Sequence, residues 1–191
     1  MAASSIIFIT GGVRSGKSRF AEDVAVKLAE QAGSSLFYLA SGRTEDEEMK
    51  RRISHHRQER AESGSGWITL ECPDGLEQAA SELTPNSVVL FDCLTTHLNN
   101  RLFSEQDGWR ERDYCQHVKI SIKESIMTIA ARCKAMIIVS NEILNESIRD
   151  NEVIYTYSKI LGELHQWIVR QARSAYLVES GLTVEMKGEP Q

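Results

Sequence analysis

The chain is short of the residues that staple, stiffen or anchor a protein. It has three prolines in 191 residues, too few for a proline-rich linker or a collagen-like repeat. Its four cysteines, Cys72, Cys93, Cys115 and Cys133, stand far apart with no C-x-x-C pair. That spacing argues against a zinc ribbon or a disulfide framework, and they read as reduced, mostly buried thiols. No apolar run reaches membrane-spanning length, and Met1-Ala2-Ala3-Ser4-Ser5 lacks the basic start of a signal peptide. A cytoplasmic protein with no membrane span is therefore expected. Positive charge is in deficit too, with 22 Lys+Arg against 27 Asp+Glu and a net charge of -5, so nucleic acid is not expected as the main partner. Internal repeats are missing, and Ser63-Gly64-Ser65-Gly66 is short enough to be a surface loop. What remains, 41% hydrophobic and 26% charged, suits one globular domain spanning 1–191.

Strand-like apolar runs recur at 6–10, 35–40, 67–71, 87–92, 135–140 and 175–179, with helical patterns between most of them. Alternation of this kind predicts an α/β fold, a mainly parallel sheet with helices on both faces. Beyond Gly181, residues 182–187 alternate strictly, as a closing hairpin or edge strand does. Residues 187–191 read as a frayed tail.

The strongest chemical signal follows the first strand. Gly11-Gly12-Val13-Arg14-Ser15-Gly16-Lys17-Ser18 fits G-x-x-x-x-G-K-[ST] without a gap. Such a loop wraps phosphates with backbone N–H groups, its lysine adds a point charge, and its serine hydroxyl is placed to ligate Mg²⁺. A helix predicted over 17–31, with Phe20, Val24 and Leu28 on one apolar stripe, aims its positive end at the same anion. A nucleoside triphosphate is the expected ligand. Later, Val88-Val89-Leu90-Phe91-Asp92 ends an apolar strand in a carboxylate, which either holds Mg²⁺ or caps the next helix. Thr95 and Thr96 follow at the sheet edge where α/β ligands bind.

The charged stretch 44–60 reads as a helix. On it His56 falls with Met49 and Ile53 on the apolar stripe, as a packed residue would. His55 falls on the polar face with Glu48, Arg52 and Glu59, where a carboxylate can fix its tautomer. A neutral, oriented imidazole is a competent nucleophile toward phosphorus. The alternative is a solvated helix with an idle histidine.

Taken together, Ile9-Thr10-Gly11-Gly12-Val13-Arg14-Ser15-Gly16-Lys17-Ser18-Arg19, Asp46-Glu47-Glu48-Met49, Arg52-Ile53-Ser54-His55-His56-Arg57, Leu90-Phe91-Asp92-Cys93-Leu94-Thr95-Thr96 and Val139-Ser140-Asn141-Glu142 resemble the bifunctional adenosylcobinamide kinase / adenosylcobinamide-phosphate guanylyltransferase family of cobalamin biosynthesis. The resemblance implies a RecA-like P-loop domain assembled as a trimer. It implies phosphorylation of the aminopropanol hydroxyl of cobinamide by ATP or GTP, then transfer of GMP from GTP through a GMP–histidine intermediate. The family's guanylated histidine falls on His55. Its nucleotide contacts fall on the P-loop, on Ala40, Ser41 and Gly42, on Arg57, Gln58, Glu59 and Arg60, and on Glu71 and Asp92. The family's Gly- and Pro-bearing stretch after Asn-Glu is replaced here by Ile143-Leu144-Asn145-Glu146-Ser147-Ile148-Arg149. Its Arg-x-Phe-Arg-Asp segment is replaced by Tyr155-Thr156-Tyr157-Ser158-Lys159. A different acceptor, or a nucleotide-binding regulatory role, are the alternative functions these departures raise.

Overall fold

A computed structural model describes residues 6–42, 58, 64–73, 75–142 and 151–188. Its centre is a seven-stranded sheet in the order β3-β2-β4-β5-β1-β6-β7. The strands are β1 (Ile6–Gly11), β2 (Ser35–Ala40), β3 (Ile68–Glu71), β4 (Ser87–Asp92), β5 (Ala135–Asn141), β6 (Ser174–Glu179) and β7 (Leu182–Lys187). All neighbours pair in parallel except β6 with β7, which form the closing hairpin. The predicted strand positions hold to within a residue at each end.

Each central strand is apolar along nearly its whole length because helices cover both faces. Alternate residues go to opposite layers. Ile6 and Phe8 join one core with Leu39, Phe91 and Ile138, under helices α2 (Leu94–Leu102), α3 (Arg112–Ala130) and α4 (Glu152–Gln171). Ile7 and Ile9 join the other with Leu90, Ile137 and Val139, under α1 (Lys17–Ala32).

Two details correct the sequence reading. The face that α1 buries is Ala21, Ala25 and Ala29, together with Lys17, while Phe20, Val24 and Leu28 flank it half-buried. Small side chains let the helix axis approach the sheet, and the larger apolar residues close the sides. Lys187 is no frayed residue. Its Nζ donates to the carbonyls of Val169 (2.8 Å) and Ala172 (2.6 Å), closing the C-terminal end of α4. The thiols are all free, with Cys72 and Cys133 buried and Cys93 and Cys115 half-buried. Residue 58 apart, the predicted helix over 44–60 lies outside the described residues.

Enlarging the alanine face tests this packing. Ala25→Leu forces α1 away from Ile9 and Leu90, and urea denaturation should register a loss of about 1–3 kcal/mol, the usual cost of overpacking. Unchanged stability would contradict the close approach.

Candidate functional site

At the carboxyl edge of the sheet, β1 runs into a loop that spends two residues in the left-handed region. Arg14 has φ 60 and Gly16 φ 94. A non-glycine residue there is uncommon, and backbone that enters this region curls successive N–H groups into an anion-binding nest. The loop is held from inside by Ser15 N–H donating to the Gly12 carbonyl at 3.2 Å. It is held from outside by Gly181 N–H donating to the Ser15 carbonyl (2.9 Å) and by Glu142 N–H donating to the Gly11 carbonyl (3.0 Å).

The two leading glycines have different causes. A Cβ at Gly11 would stand 2.1 Å from the carbonyl oxygen of Val178 on β6, so strand packing itself forbids a side chain. A Cβ at Gly12 would meet nothing within 4 Å. Among the described residues no atom demands glycine at that position, as fits a cradle whose open side admits a ligand.

Electrostatics and unsatisfied groups point the same way. The N-cap of α1 is Gly16, with no side-chain hydrogen bond to the free amides and no acidic residue in the first turn. Its first residue is instead Lys17, only 8% exposed, a cation placed against the positive end of the helix dipole. Lys17 Nζ donates to the Gly12 carbonyl at 3.1 Å. Ser15 Oγ and Thr10 Oγ1 are buried without a hydrogen-bond partner among the described residues, a costly state that a bound acceptor oxygen relieves. All of this suits a polyphosphate anion.

Register brings the other predicted residues to the same edge. Ala40 lies opposite both Glu71 and Asp92, and Gly11 lies opposite Asn141. Glu71 is exposed and Asp92 half-buried. The Tyr38 hydroxyl donates to Asp92 Oδ2 at 3.0 Å and orients the carboxylate. Ser41 is fully buried. Its hydroxyl donates to the Cys93 carbonyl (2.9 Å) and accepts from Cys93 N–H (2.9 Å). Asn100 Nδ2 ties the Ser41 carbonyl to that of Pro73, at 2.8 and 3.0 Å. Next to Asp92, burial first and the carboxylate second push the Cys93 thiol pKa up. Gly42 follows half-buried, and Gln58 is exposed. His55, His56, Arg57, Glu59 and Arg60 lie outside the described residues.

The residues that brace Asp92, namely Tyr38, Ser41, Asn100 and Thr95, include two, Tyr38 and Asn100, to which sequence reasoning gives no role. Tyr38 lies within β2 and Asn100 within α2, and a polar residue in such a place is common in any α/β protein.

Strand β5 separates the P-loop strand β1 from the acidic strand β4, the order of a RecA-like P-loop domain. The family model "Cobinamide kinase / cobinamide phosphate guanyltransferase" matches residues 7–186. The chain belongs to this family.

The chain is 33% identical over 189 residues to the bifunctional adenosylcobalamin biosynthesis protein CobU of Escherichia coli (strain K12), covering 95% of this chain and 99% of that protein. It is 35% identical over 187 residues to the CobP protein of Pseudomonas aeruginosa, with 95% and 97% covered. Among solved structures, the flagellar accessory protein FlaH of Methanocaldococcus jannaschii is similar at a TM-score of 0.49 and 16% identity, over 96% of this chain and 78% of that one. As a cobinamide kinase / guanyltransferase, the chain is a nucleotide-binding transferase of adenosylcobalamin biosynthesis. Among the described residues no helix is long and apolar enough to cross a membrane.

The contrast between the two glycines gives a direct test. Gly12→Ala should leave thermal stability unchanged and weaken GTP binding at least tenfold, whereas Gly11→Ala should destabilise the fold itself. Lys17→Ala should weaken binding by roughly 10- to 150-fold, the equivalent of about 1.5–3 kcal/mol for a charged hydrogen bond. Undiminished GTP affinity in Gly12→Ala and Lys17→Ala, measured by titration calorimetry, would refute the cradle.

Proposed function

We propose that one triphosphate site at the sheet's carboxyl edge serves both transfers, and that His55 carries the nucleotidyl group in the second. The observation that supports this reading most is the cradle. Lys17, the uncapped start of α1 and the Ser15 hydroxyl, which has no partner among the described residues, converge on one loop, with Asp92 two strands away on the same edge. Residues 1–191 are read as a single nucleotide-binding domain.

In the kinase step the aminopropanol oxygen of cobinamide bonds to the γ-phosphorus of ATP or GTP. The bond to the bridging oxygen breaks, and the hydroxyl proton leaves to solvent. The loop amides and Lys17 hold the phosphates and offset their charge. Ser18 and Asp92 are hard oxygen donors, and such a pair suits Mg²⁺, which takes few protein ligands and completes its shell with phosphate and water. The ion, when bound, supplies further neutralisation of phosphate charge.

In the guanylyl step a nitrogen of neutral His55 bonds to the α-phosphorus of GTP as pyrophosphate leaves. A phosphate oxygen of cobinamide phosphate then bonds to the same phosphorus, and breaking of the N–P bond restores the imidazole. Ala40, Ser41, Gly42, Arg57, Gln58, Glu59, Arg60 and Glu71 are assigned to the guanine nucleotide. Because Ser41 is fully buried, its hydroxyl engaged by Cys93, its N–H by the Asp92 carbonyl and its carbonyl by Asn100, Ser41 serves by holding the Asp92 turn.

Two other histidines are accounted for by packing. His97 is 2% exposed, edge-on to Phe91. His165 bonds the Ser140 hydroxyl at 2.8 Å, and burial lowers its pKa to about 4. Assembly as a trimer and a cytoplasmic location complete the proposal.

His55→Ala should abolish the acid-labile, base-stable label left by GTP radiolabelled at the α-phosphate, while kinase activity partly persists. His56→Ala should keep the label. In the wild type, labelling should decline as pH falls below about 6.5, where an ordinary imidazole protonates and its nucleophilic lone pair is lost. Peptide mapping of GMP to His56, or full labelling of His55→Ala, would overturn the assignment.

A further inference from the structure

Between the P-loop and the Asp92 turn stands the end of β5, and one residue pair there bonds to both. Asn141 lies opposite Gly11 in the β1–β5 register, and the next residue, Glu142, donates its N–H to the Gly11 carbonyl at 3.0 Å. On the other side, the Asn141 side-chain Nδ2 donates to Thr95 Oγ1 at 3.1 Å, and its backbone N–H reaches the same oxygen at 3.4 Å. Thr95 sits in the first turn of α2, three residues after Asp92, and is 5% exposed. With its oxygen accepting from Asn141, its proton is available to the Cys93 sulfur at 3.1 Å. The Tyr157 hydroxyl donates to the Thr95 carbonyl at 2.7 Å from α4. The turn that carries Asp92 is thus tied to the phosphate loop through an amide and a hydroxyl, with a phenol bracing the far side.

We infer that Asn141, acting through Thr95, is a positioning residue that sets the Asp92 carboxylate relative to the P-loop and so tunes metal affinity in the nucleotide complex. The inference rests on the reading that Asp92 holds the metal. Its physical basis is lever-like. A carboxylate and a loop-bound phosphate can share one small cation only if their separation is held to a fraction of an ångström, because Mg²⁺ demands near-ideal octahedral geometry. Asp92 and the loop belong to strands that are not neighbours, and β5 is the spacer between them. Backbone pairing fixes the strands, but Asp92 and Thr95 lie where the ladder ends. There the Asn141–Thr95 bond takes over. Outer-shell hydrogen bonds that orient a metal's ligands commonly change its affinity on removal.

The test uses Mn²⁺ as a spectroscopic stand-in, with free Mn²⁺ read by electron paramagnetic resonance. The full chain is saturated with the α,β-methylene analogue of GTP, which blocks guanylylation. Asn141→Ala and Thr95→Val should each weaken Mn²⁺ binding about three- to tenfold, the scale of one hydrogen bond. Affinity for the analogue in EDTA should stay unchanged. The double variant should lose no more than either single one, since both remove the same contact. Thr95→Ser, which keeps the hydroxyl, should restore wild-type binding, and this variant separates positioning from simple loss of packing. Wild-type Mn²⁺ affinity in Asn141→Ala, additive losses in the double variant, or a Thr95→Ser as weak as Thr95→Val would each overturn the inference. Asp92→Asn serves as the reference. If it leaves Mn²⁺ binding untouched, the metal reading fails with the inference. If it weakens binding while Asn141→Ala does not, only the inference fails.

Discussion

The contact on which the site depends is between backbone and backbone: the Cα of Gly11 faces the carbonyl of Val178 on β6 so closely that no side chain fits. This approach lets the end of β1 turn inward, and the Gly181 N–H then clamps the Ser15 carbonyl from the β6–β7 turn. The loop's shape is imposed by its neighbours before any ligand arrives. A preformed cradle of this kind avoids the ordering cost that a mobile loop incurs on binding, and its fixed dipoles need no reorganisation as charge develops.

Parallel topology does the rest. Residues far apart in the chain reach one edge because every strand from β1 to β6 points the same way. Gly11, Ala40, Glu71, Asp92 and Asn141 all stand at carboxyl ends, where side chains escape the ladder and the following loops open toward ligand. Alternation along the strands divides the remaining apolar residues between two cores. The burial that stabilises the sheet also fixes its register, since a slip of one residue would exchange the two faces.

Much of this was legible in the amino-acid sequence. Short apolar runs bounded by polar residues, such as Val88-Val89-Leu90-Phe91, fit strands buried on both faces, and the G-x-x-x-x-G-K-S spacing identifies the loop by mechanism. The buried face of α1 departs from the sequence expectation because hydrophobicity ranks Phe20 and Leu28 above Ala21 and Ala25. Close packing on a flat sheet selects for small volume instead. Lys187 reads as tail in the sequence because nothing local shows that its ammonium meets the last carbonyls of α4, 15 to 18 residues earlier. The supports of Asp92 were hidden for the same reason: Tyr38 and Asn100 act across separations of 54 and 59 residues.

A single nucleotide site made of the P-loop and the Asp92 turn, linked across β5, requires both segments to respond to ligand. Hydrogen–deuterium exchange with and without Mg²⁺ and a GTP analogue that resists α–β cleavage tests it most directly. Slowed exchange on ligand addition is expected at amides 12–18 and, in step with them, at 93–95, while the exposed strand β7 is unchanged. Protection confined to one of the two segments, or absent from both at saturating nucleotide, would contradict it.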